Sequence, residues 1–306
     1  MPSTSSFPNI TVVINTFNQE QLIGDCLKGV ISQDLINQIK ILVIDDCSTD
    51  DTLKVCYSFQ RRFPRNIEVV ALPKNEFSQG LHVGIDYIRR IDTKYIAWCD
   101  GDDYWIDITK IKKQFLFLEE NPEVGIVHTD YLYSRQNSKD VGLTERSQSE
   151  KNKAAKALTG KDLVNGNPVK HSTAMMLHEA IDFEFVGASR KIFAADWLIA
   201  VSVARKLNIH FMPDRTAVVR VSEQGIWNGN NFKTNNRQKA QVRWYCAAQL
   251  PESQLRDVFR RKVVVDWIRE KIATSRVYRL FRPLVFLGRR VKAICSRIIS
   301  SRTKSY

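Results

Sequence analysis

Residues 94–105, KYIAWCDGDDYW, decide how the rest of the chain is interpreted. The run YIAW predicts a short buried strand, and three carboxylates follow it closely, those of Asp100, Asp102 and Asp103. Like charges this close together raise one another's pKa, and a bound Mg²⁺ or Mn²⁺ removes that cost. An acidic surface turn is the alternative interpretation. The tryptophans on either side of the carboxylates favour a cleft, because a solvated turn does not usually lie between tryptophans.

Before this stretch, short apolar runs alternate with helical patterns. Residues 10–15, 39–44 and 67–72 are predicted to be buried strands, with helical spacing of apolar residues between them. The alternation predicts an α/β fold with a parallel sheet covered on both faces. Ligands of such sheets bind beyond the carboxyl ends of the strands. Polar side chains stand at three predicted strand ends: Thr16 and Asn18, Asp45 and Asp46, and the aspartates of residues 100–103.

Farther along the chain the pattern is less regular. Residues 80–91 predict a helix, residues 168–177 a strand that returns to the core, and residues 209–221 one or two strands. An amphipathic helix is predicted to begin at residues 194–197. No GxGxxG follows the first strand and no P-loop is present, so neither phosphate-binding fingerprint is predicted.

Composition limits the class of protein. The 306 residues carry a formal net charge of +13, which points to an anionic partner such as a phosphate ligand, a membrane surface or a nucleic acid. The six cysteines have no CxxC spacing, which is typical of reduced thiols rather than of disulfides or a zinc site. The N-terminal segment lacks the pattern of a signal peptide, and no apolar run is long enough to cross a bilayer. We therefore expect a cytoplasmic protein, with peripheral attachment to the inner face of the membrane left open.

The order of four motifs resembles the nucleotide-sugar domain of family 2 glycosyltransferases. The motifs are VVINTFNQEQLIGDCLKGVISQ, ILVIDDCSTDDT, YIAWCDGDDYW and KQFLFLEENPEVGIVHTDY. The resemblance is dense over residues 10–131 and looser to about residue 222. It implies a GT-A fold, an α/β domain with a mixed, mainly parallel sheet flanked by helices. It also implies an inverting mechanism and a divalent cation, Mn²⁺ or Mg²⁺. We assign this domain to residues 1–228 and a helical C-terminal region to residues 229–306.

The same resemblance implies roles for residues at the strand ends. Thr16 and Asn18 would line the nucleotide pocket, and Asp45 or Asp46 would meet the base. Helix capping is the alternative for this region, because Ser-Thr-Asp before a helix is good N-terminal chemistry. Gly80 is retained in a segment that binds the donor in relatives, but the usual arginine and asparagine of that segment are absent.

The acidic stretch matches the family's DxD signature. By resemblance, Asp100 and Asp102 would hold the ribose and the metal-bound diphosphate. Asp103 is the alternative metal ligand, because some relatives carry adjacent aspartates at this position. The metal ligands predicted from the sequence are therefore Asp102 and Asp103.

Three later segments supply further candidates. Asp196 stands where relatives carry the catalytic base, although Ala195 replaces the acidic residue that often precedes it, and an N-cap is the alternative role. His171 is a candidate for the acceptor site or a partly buried structural histidine. In VVRVSEQGIWNG, which resembles a donor-closing loop, Arg220 would pair with phosphate and Trp227 would stack on the sugar. A structural arginine and a core tryptophan are the alternatives.

The sequence after the predicted domain bears on the acceptor. The QVRW of residues 241–244 is one residue short of the QxxRW signature of processive synthases, and no membrane helices follow it, which favours transfer of a single sugar. Residues 276–306 carry nine basic and no acidic side chains around one apolar stripe. Such a helix lies on an anionic membrane surface or packs its stripe on the core. No nucleic-acid motif is recognisable, so no nucleic-acid partner is expected.

Together these observations predict an inverting glycosyltransferase. It would move one sugar from a nucleotide-sugar donor, with a UDP-sugar favoured, to a hydroxyl of a cell-surface glycan or of a lipid-linked saccharide. Two alternatives stay open. A nucleotidyltransferase can place a similar acidic metal site on a similar sheet, and a basic membrane-associated protein can keep the fold without catalysis.

Overall fold

The computed structural model describes residues 9–135, 157–190, 192, 194–221 and 232–274. The strands of these residues are β1 (Ile10–Thr16), β2 (Ile39–Asp45), β3 (Ile67–Ala71), β4 (Tyr95–Trp98), β5 (Tyr104–Trp105), β6 (Val124–Arg135), β7 (Ala174–Leu177) and β8 (Asn208–Val221). The α-helices are α1 (Ile23–Ile31), α2 (Thr52–Arg62), α3 (Ile85–Arg89), α4 (Lys110–Glu120), α5 (Phe183–Gly187), α6 (Ala195–Ala204), α7 (Phe232–Gln249) and α8 (Ser253–Thr274).

The strands form one mixed sheet in the order β3-β2-β1-β4-β7-β6-β8-β5. The first four strands of that order are mutually parallel. The direction reverses at β7, which is antiparallel to both β4 and β6. The pair β6 and β8 is parallel again, and β5 closes the edge antiparallel to β8. The predicted mixed, mainly parallel α/β sheet is confirmed.

Alternate residues of the central strands enter two apolar clusters, one on each face of the sheet. Val12 and Ile14 of β1 pack in the cluster that contains α1, α2 and α4, whereas Val13 packs in the cluster that contains α6. Because both faces are buried, the strand is apolar almost throughout, as expected for a covered parallel sheet.

Helix α6 differs from its prediction. Residues 197–204 are all buried, so the helix is not amphipathic. The reason is that α7 and α8 contribute Val242, Phe259 and Val263 to the same apolar cluster. A helix that is covered on its sheet side and on its outer side is hydrophobic all round.

Two predicted boundaries were wrong. The helix predicted for residues 80–91 is limited to α3, because Gly80 (φ 73°) and Gly84 (φ 63°) are left-handed and hold the preceding residues in turns. A Cβ on Gly84 would lie 2.4 Å from Cδ1 of Ile44, so the close approach to β2 also requires glycine. The strand predicted for residues 168–177 begins only at Ala174, after a 3₁₀ turn.

The C-terminal helices pack on the same core as the sheet. Val242 and Cys246 of α7, and Leu255 and Phe259 of α8, are buried in the cluster that also holds Trp98 of β4. The boundary proposed at residue 228 stays a prediction, and the basic helix of residues 276–306 lies outside the described residues. Among the described helices, none has the length and apolar character needed to span a membrane.

The shared core generates a test of that boundary. Phe259 is fully buried, so Phe259→Ala should lower the free energy of unfolding by about 3–5 kcal/mol. If residues 9–274 unfold cooperatively, one calorimetric transition moves to lower temperature. Ile268→Ala is the matched control, because this side chain is 43% exposed on the same helix. Two transitions, of which only one moves, would instead support separate domains.

Candidate active site

The carboxyl ends of β1, β2 and β4 meet at one edge of the sheet. Thr16 is in register with Asp45, and the chain after β4 continues beside β1, where the Gly101 N–H donates to the Asn15 carbonyl (3.0 Å). A Cβ on Gly101 would lie 3.0 Å from the side chain of Thr16 and 2.3 Å from Gln19 Oε1. The glycine therefore lets the acidic loop pack directly on the end of β1.

His171 and Ser172, which are distant in sequence from the acidic loop, contact two of its three aspartates. His171 Nδ1 lies 3.3 Å from Asp100 Oδ1, and its ring stacks on Trp98 with centroids 4.7 Å apart. Ser172 Oγ donates to Asp103 Oδ2 at 2.5 Å and lies 3.1 Å from Asp100 Oδ2. The predicted candidate His171 thus contacts the acidic loop, whereas Ser172 was not predicted.

Lys170 supplies the compensating charge. Its Nζ lies 3.6 Å from Asp103 Oδ2 and 3.9 Å from Asp100 Oδ2. Burial acts to lower the pKa of Lys170, but the carboxylates of Asp103, Asp100, Asp102 and Asp196 outweigh burial and raise it. The ammonium group therefore stays charged beside Asp100 and Asp103.

The aspartates respond differently to this environment. Burial opposes ionisation of Asp100, yet the hydrogen bond and charge of His171 and the charge of Lys170 hold the pKa of Asp100 below its ordinary value. Burial raises the pKa of Asp103 despite Lys170. Burial, followed by the charges of Asp103 and Asp100, raises the pKa of Asp102 to about 7. Asp102 is thus the carboxylate whose ionisation is opposed most plainly by its neighbours.

The residues present fit one divalent cation at Asp102. Asp103 accepts from Ser172 and from the Arg220 backbone N–H (2.9 Å), so both of its oxygens are engaged. The Asp102 carboxylate is only partly buried, and no other residue of the described chain donates a hydrogen bond to it. No three His, Cys, Asp or Glu side chains in the described ranges are grouped to hold a metal. Mg²⁺ and Mn²⁺ often bind through one or two carboxylates plus substrate phosphates, so one ligand is sufficient. The role predicted for Asp103 as a metal ligand stays a prediction.

Asp45 and Asp46 have distinct surroundings at the end of β2. Asp46 accepts from the backbone N–H groups of Glu76 (2.6 Å) and Phe77 (3.1 Å), so it ties down the loop after β3. Asp45 accepts from the Ser48 N–H through Oδ2 (2.9 Å), while its buried Oδ1 has no hydrogen-bond partner among the residues that the structure describes. A buried carboxylate oxygen without a donor is costly, so Oδ1 of Asp45 is the atom of this pair suited to accept from a ligand.

The neighbouring loops are joined by short polar contacts. Asn18 is left-handed (φ 50°), its N–H donates to Ser48 Oγ, and its Oδ1 accepts from the Thr49 N–H at 2.8 Å. Thr16 Oγ1 donates to Gln19 Oε1 at 2.7 Å. These contacts fix the loops after β1 and β2 against each other. Gly80 lies at the end of the 3₁₀ turn that follows β3.

The N-cap residue of α2 is Asp51, which makes no side-chain capping hydrogen bond. The residue before it, Asp50, accepts through Oδ1 from the Thr52 N–H (3.0 Å) at the start of α2. Capping therefore does not use the Asp45 and Asp46 carboxylates, and the two functions inferred for this loop belong to different residues.

Arg220 braces the acidic loop from the end of β8. Its Nη1 donates to the Asp102 carbonyl (3.0 Å), its Nη2 pairs with Asp25 Oδ2 of α1 (2.7 Å), and its guanidinium lies 4.5 Å from the centroid of the Tyr104 ring. An open hollow of about 470 Å³ adjoins these side chains on the α1 side. Phosphate pairing by Arg220 stays a prediction. Trp227, predicted to stack on the sugar, lies outside the described residues.

Asp196 lies in the first turn of α6, where its side chain accepts from Asn167 Nδ2 at 3.0 Å. The N-cap of this helix is Ala194, so the capping alternative for Asp196 is wrong. The charge of Asp196 acts, after those of Asp103, Asp100 and Asp102, to raise the pKa of Lys170.

Sequence reasoning missed Lys170, Ser172 and Asn167. All three lie in the segment NPVKHST that carries His171, before β7. A lysine and a serine beside a candidate histidine were the available signal. What hid them was the reversal at β7, which brings the start of an antiparallel strand to the carboxyl end of β4.

The family model described as Glycosyl transferase family 2 matches residues 11–182. An uncharacterized protein of Mycobacterium tuberculosis, Rv1520, is 25% identical over 248 residues, which are 80% of this chain and 68% of that protein. Poly(ribitol-phosphate) beta-N-acetylglucosaminyltransferase TarS of Staphylococcus aureus is 27% identical over 123 residues, 40% of this chain and 20% of TarS.

Two solved structures share the fold. The structure of TarS residues 1–349 in complex with UDP-GlcNAc matches with a TM-score of 0.62 at 16% identity and covers 88% of this chain and 74% of that chain. The mannosyltransferase PcManGT from Pyrobaculum calidifontis, in complex with GDP-Man and Mn²⁺, matches with a TM-score of 0.58 at 15% identity and covers 90% and 84%. Both neighbours are GT-A glycosyltransferases, so the predicted GT-A fold is confirmed.

The raised pKa of Asp102 predicts a pH-dependent stability in the absence of metal and nucleotide. Its folded pKa is about 7 against an ordinary value of 3.8, so the folded protein binds more protons and loses stability as pH rises through that window. Asp102→Asn mimics the protonated form. It should melt about 2–4 °C above the wild type at pH 8 and equal it near pH 4, as read by differential scanning fluorimetry.

Asp92→Asn is the control for this comparison, since Asp92 is an exposed carboxylate in a surface ion pair with Lys40. It should show no pH-dependent difference of this kind. Equal melting of wild type and Asp102→Asn at pH 8 would mean that the Asp102 carboxylate is well solvated.

Proposed function

The chain belongs to glycosyl transferase family 2, and from this we propose that it transfers one sugar from a nucleotide-sugar donor to an acceptor hydroxyl with inversion at the anomeric carbon. The observation that carries the proposal is the arrangement at the edge of the sheet. Asp102 is a partly exposed carboxylate of the acidic loop, and the segment that contacts this loop through His171 and Ser172 also contacts the candidate base Asp196 through Asn167. Sugar transfer needs one group for the diphosphate and another for the acceptor proton, both positioned by the same framework.

Asp102 is the residue that we propose to hold the divalent cation. The Mn²⁺ of PcManGT, a structure with the same fold, supports the use of a divalent cation. When bound, the cation supplies positive charge to the diphosphate leaving group. Lys170 would hold the acidic loop in place through Asp100 and Asp103, as it does in the structure.

We propose that Asp196 is the general base. The acceptor oxygen forms a bond to the anomeric carbon on the face opposite the diphosphate, and the bond from that carbon to the diphosphate oxygen breaks. The acceptor proton passes to a carboxylate oxygen of Asp196, and the nucleoside diphosphate leaves with the bonding electron pair. A positioned general base typically contributes about 10²–10⁴-fold to such a step.

A uridine nucleotide is the donor that we favour. UDP-GlcNAc is bound by TarS, and the buried Oδ1 of Asp45 is an acceptor that the N3–H of uracil can satisfy. PcManGT binds GDP-Man, so guanine is the competing base. Thr16 and Asn18, in the two fixed loops, complete the proposed nucleotide pocket.

The acceptor that we propose is a hydroxyl of a cell-surface glycan or of a lipid-linked saccharide. The name of TarS gives poly(ribitol-phosphate) as the polymer that this relative glycosylates. The family match supports sugar transfer over the nucleotidyltransferase and over the non-catalytic protein that the sequence left open.

We further propose that the C-terminal region meets an anionic membrane surface, where a lipid-linked acceptor would lie. Trp244, Val264 and Ile268 of α7 and α8 are 62%, 53% and 43% exposed, and the basic residues of 276–306 follow in sequence. Replacing Arg289, Arg290 and Lys292 by glutamine should release the protein from vesicles of anionic lipid in a sedimentation assay. Equal sedimentation of wild type and variant would contradict this proposal.

Two substitutions separate the proposed roles of the carboxylates. Asp102→Asn should abolish both transfer and the increase in melting temperature that UDP with Mn²⁺ produces. The reason is that the cation that binds the diphosphate loses its protein ligand. Asp196→Asn should keep the UDP and Mn²⁺ shift while lowering kcat by about 10²–10⁴-fold. Full transfer by either variant would exclude the role assigned to that residue.

The same thermal-shift assay with UDP, GDP, CMP and dTDP, each with and without Mn²⁺, identifies the nucleotide. We expect the largest shift for UDP with Mn²⁺. A shift with GDP and none with UDP would mean that the donor is a GDP-sugar rather than a UDP-sugar. The roles proposed for Asp102 and Asp196 would not change.

A further inference from the structure

We propose that Asn167 is a positioning residue for Asp196, and that Arg243 of α7 fixes the turn that carries it. The inference rests on the proposed role of Asp196 as general base. Neither Asn167 nor Arg243 was assigned a role by the sequence, although Arg243 belongs to the QVRW segment that only partly matched a known signature.

The orientation of the Asn167 side chain is determined by its two partners. Its Oδ1 accepts from the Val169 backbone N–H at 3.1 Å, and its Nδ2 donates to Asp196 Oδ2 at 3.0 Å. A flipped amide would place its NH₂ against an N–H and its oxygen against a carboxylate, so only this orientation satisfies both contacts. A neutral donor is therefore directed at one oxygen of Asp196, and the other oxygen is left to take the acceptor proton.

The turn before Asn167 is bonded at three successive carbonyl groups. Trp197, the neighbour of Asp196, donates from Nε1 to the Leu163 carbonyl at 3.0 Å. Arg243 donates from Nε to the Val164 carbonyl (2.9 Å) and from Nη2 to the Asn165 carbonyl (3.0 Å). The turn is thus fixed to the start of α6 and to α7 at the same time, and Asn167 follows it after a single glycine.

Arg243 is itself held in place. Its Nη1 pairs with Asp266 of α8 at 2.7 Å, its residue is 9% exposed, and its guanidinium lies 5.9 Å from the centroid of the Trp197 ring. With Nε, Nη1 and Nη2 all engaged, this arginine serves the turn rather than a bound diphosphate. The C-terminal helices therefore reach the candidate base through two hydrogen-bonded residues.

The decisive variant is Asn167→Asp, which is isosteric and keeps the acceptor for the Val169 N–H. It replaces the amide that donates to Asp196 Oδ2 by a second carboxylate at hydrogen-bond distance. We expect kcat to fall about tenfold to 100-fold and the acidic limb of the pH–rate profile to move to higher pH, because two adjacent carboxylates resist losing both protons. The KM for the donor and the thermal shift with UDP and Mn²⁺ should stay within about twofold of wild type.

Three further variants make the outcome interpretable. Asn165→Ala is the matched control, because the Asn165 side chain is exposed and only the backbone carbonyl of this residue accepts from Arg243. The kcat of this variant should equal that of the wild type. Asn167→Ala should lower kcat as Asn167→Asp does. Arg243→Lys keeps the charge facing Asp266 but loses the paired carbonyl contacts, and it should lower kcat by a smaller factor at unchanged donor KM.

The inference would be overturned if both Asn167 variants had the kcat and pH profile of the wild type while Asp196→Asn was inactive. Asp196 would then act as general base without needing Asn167 to position it. Variants of Asn167 that lose thermal stability but keep the wild-type pH profile would show a purely structural residue and also overturn it. An active Asp196→Asn would instead remove the proposed base itself.

Discussion

The acidic loop after β4 depends on the ammonium group of Lys170, which lies beside two of its carboxylates. Three carboxylates within four residues repel one another, and two of them are held by the segment from Lys170 to Ser172. Without that segment, the loop would have to turn its side chains to solvent, and the edge of the sheet would lose its polar centre. The same segment reaches α6, because Asn167 donates to Asp196 Oδ2.

The sequence was sufficient for the parts of the fold that depend on local patterns. Apolar runs at β1, β2 and β4 identify covered parallel strands, and the polar residues after them predict which edge of the sheet carries the site. Sequence reasoning failed where a distant partner decides the structure. Helix α6 looked amphipathic because nothing in its own residues shows that α7 and α8 cover its outer face. Lys170 and Ser172 were missed for the same reason, since their partners are aspartates about 70 residues away in the chain.

The paired aspartates illustrate what only the structure resolves. Asp45 and Asp46 are adjacent and chemically identical, yet within the described residues one has a buried oxygen without a donor and the other accepts from two backbone N–H groups. Their positions differ, because Asp45 is the last residue of β2 whereas Asp46 follows the strand and faces the loop after β3. A motif of two aspartates thus contains one residue suited to a ligand and one that fixes a loop.

The reversal of strand direction at β7 has a consequence for how such proteins diversify. The polar residues at the ends of β1, β2 and β4 follow parallel strands, whereas Lys170, His171 and Asn167 precede a strand that runs the other way. The two sets come from separate stretches of sequence, and they are joined where His171 and Ser172 contact Asp100 and Asp103. Substitutions in the stretch entering β7 therefore act directly on the acidic loop, whereas the loops after β1 and β2, which are bonded to each other, lie outside that contact. The acidic loop and the stretch entering β7 must therefore change together when the sequence diverges.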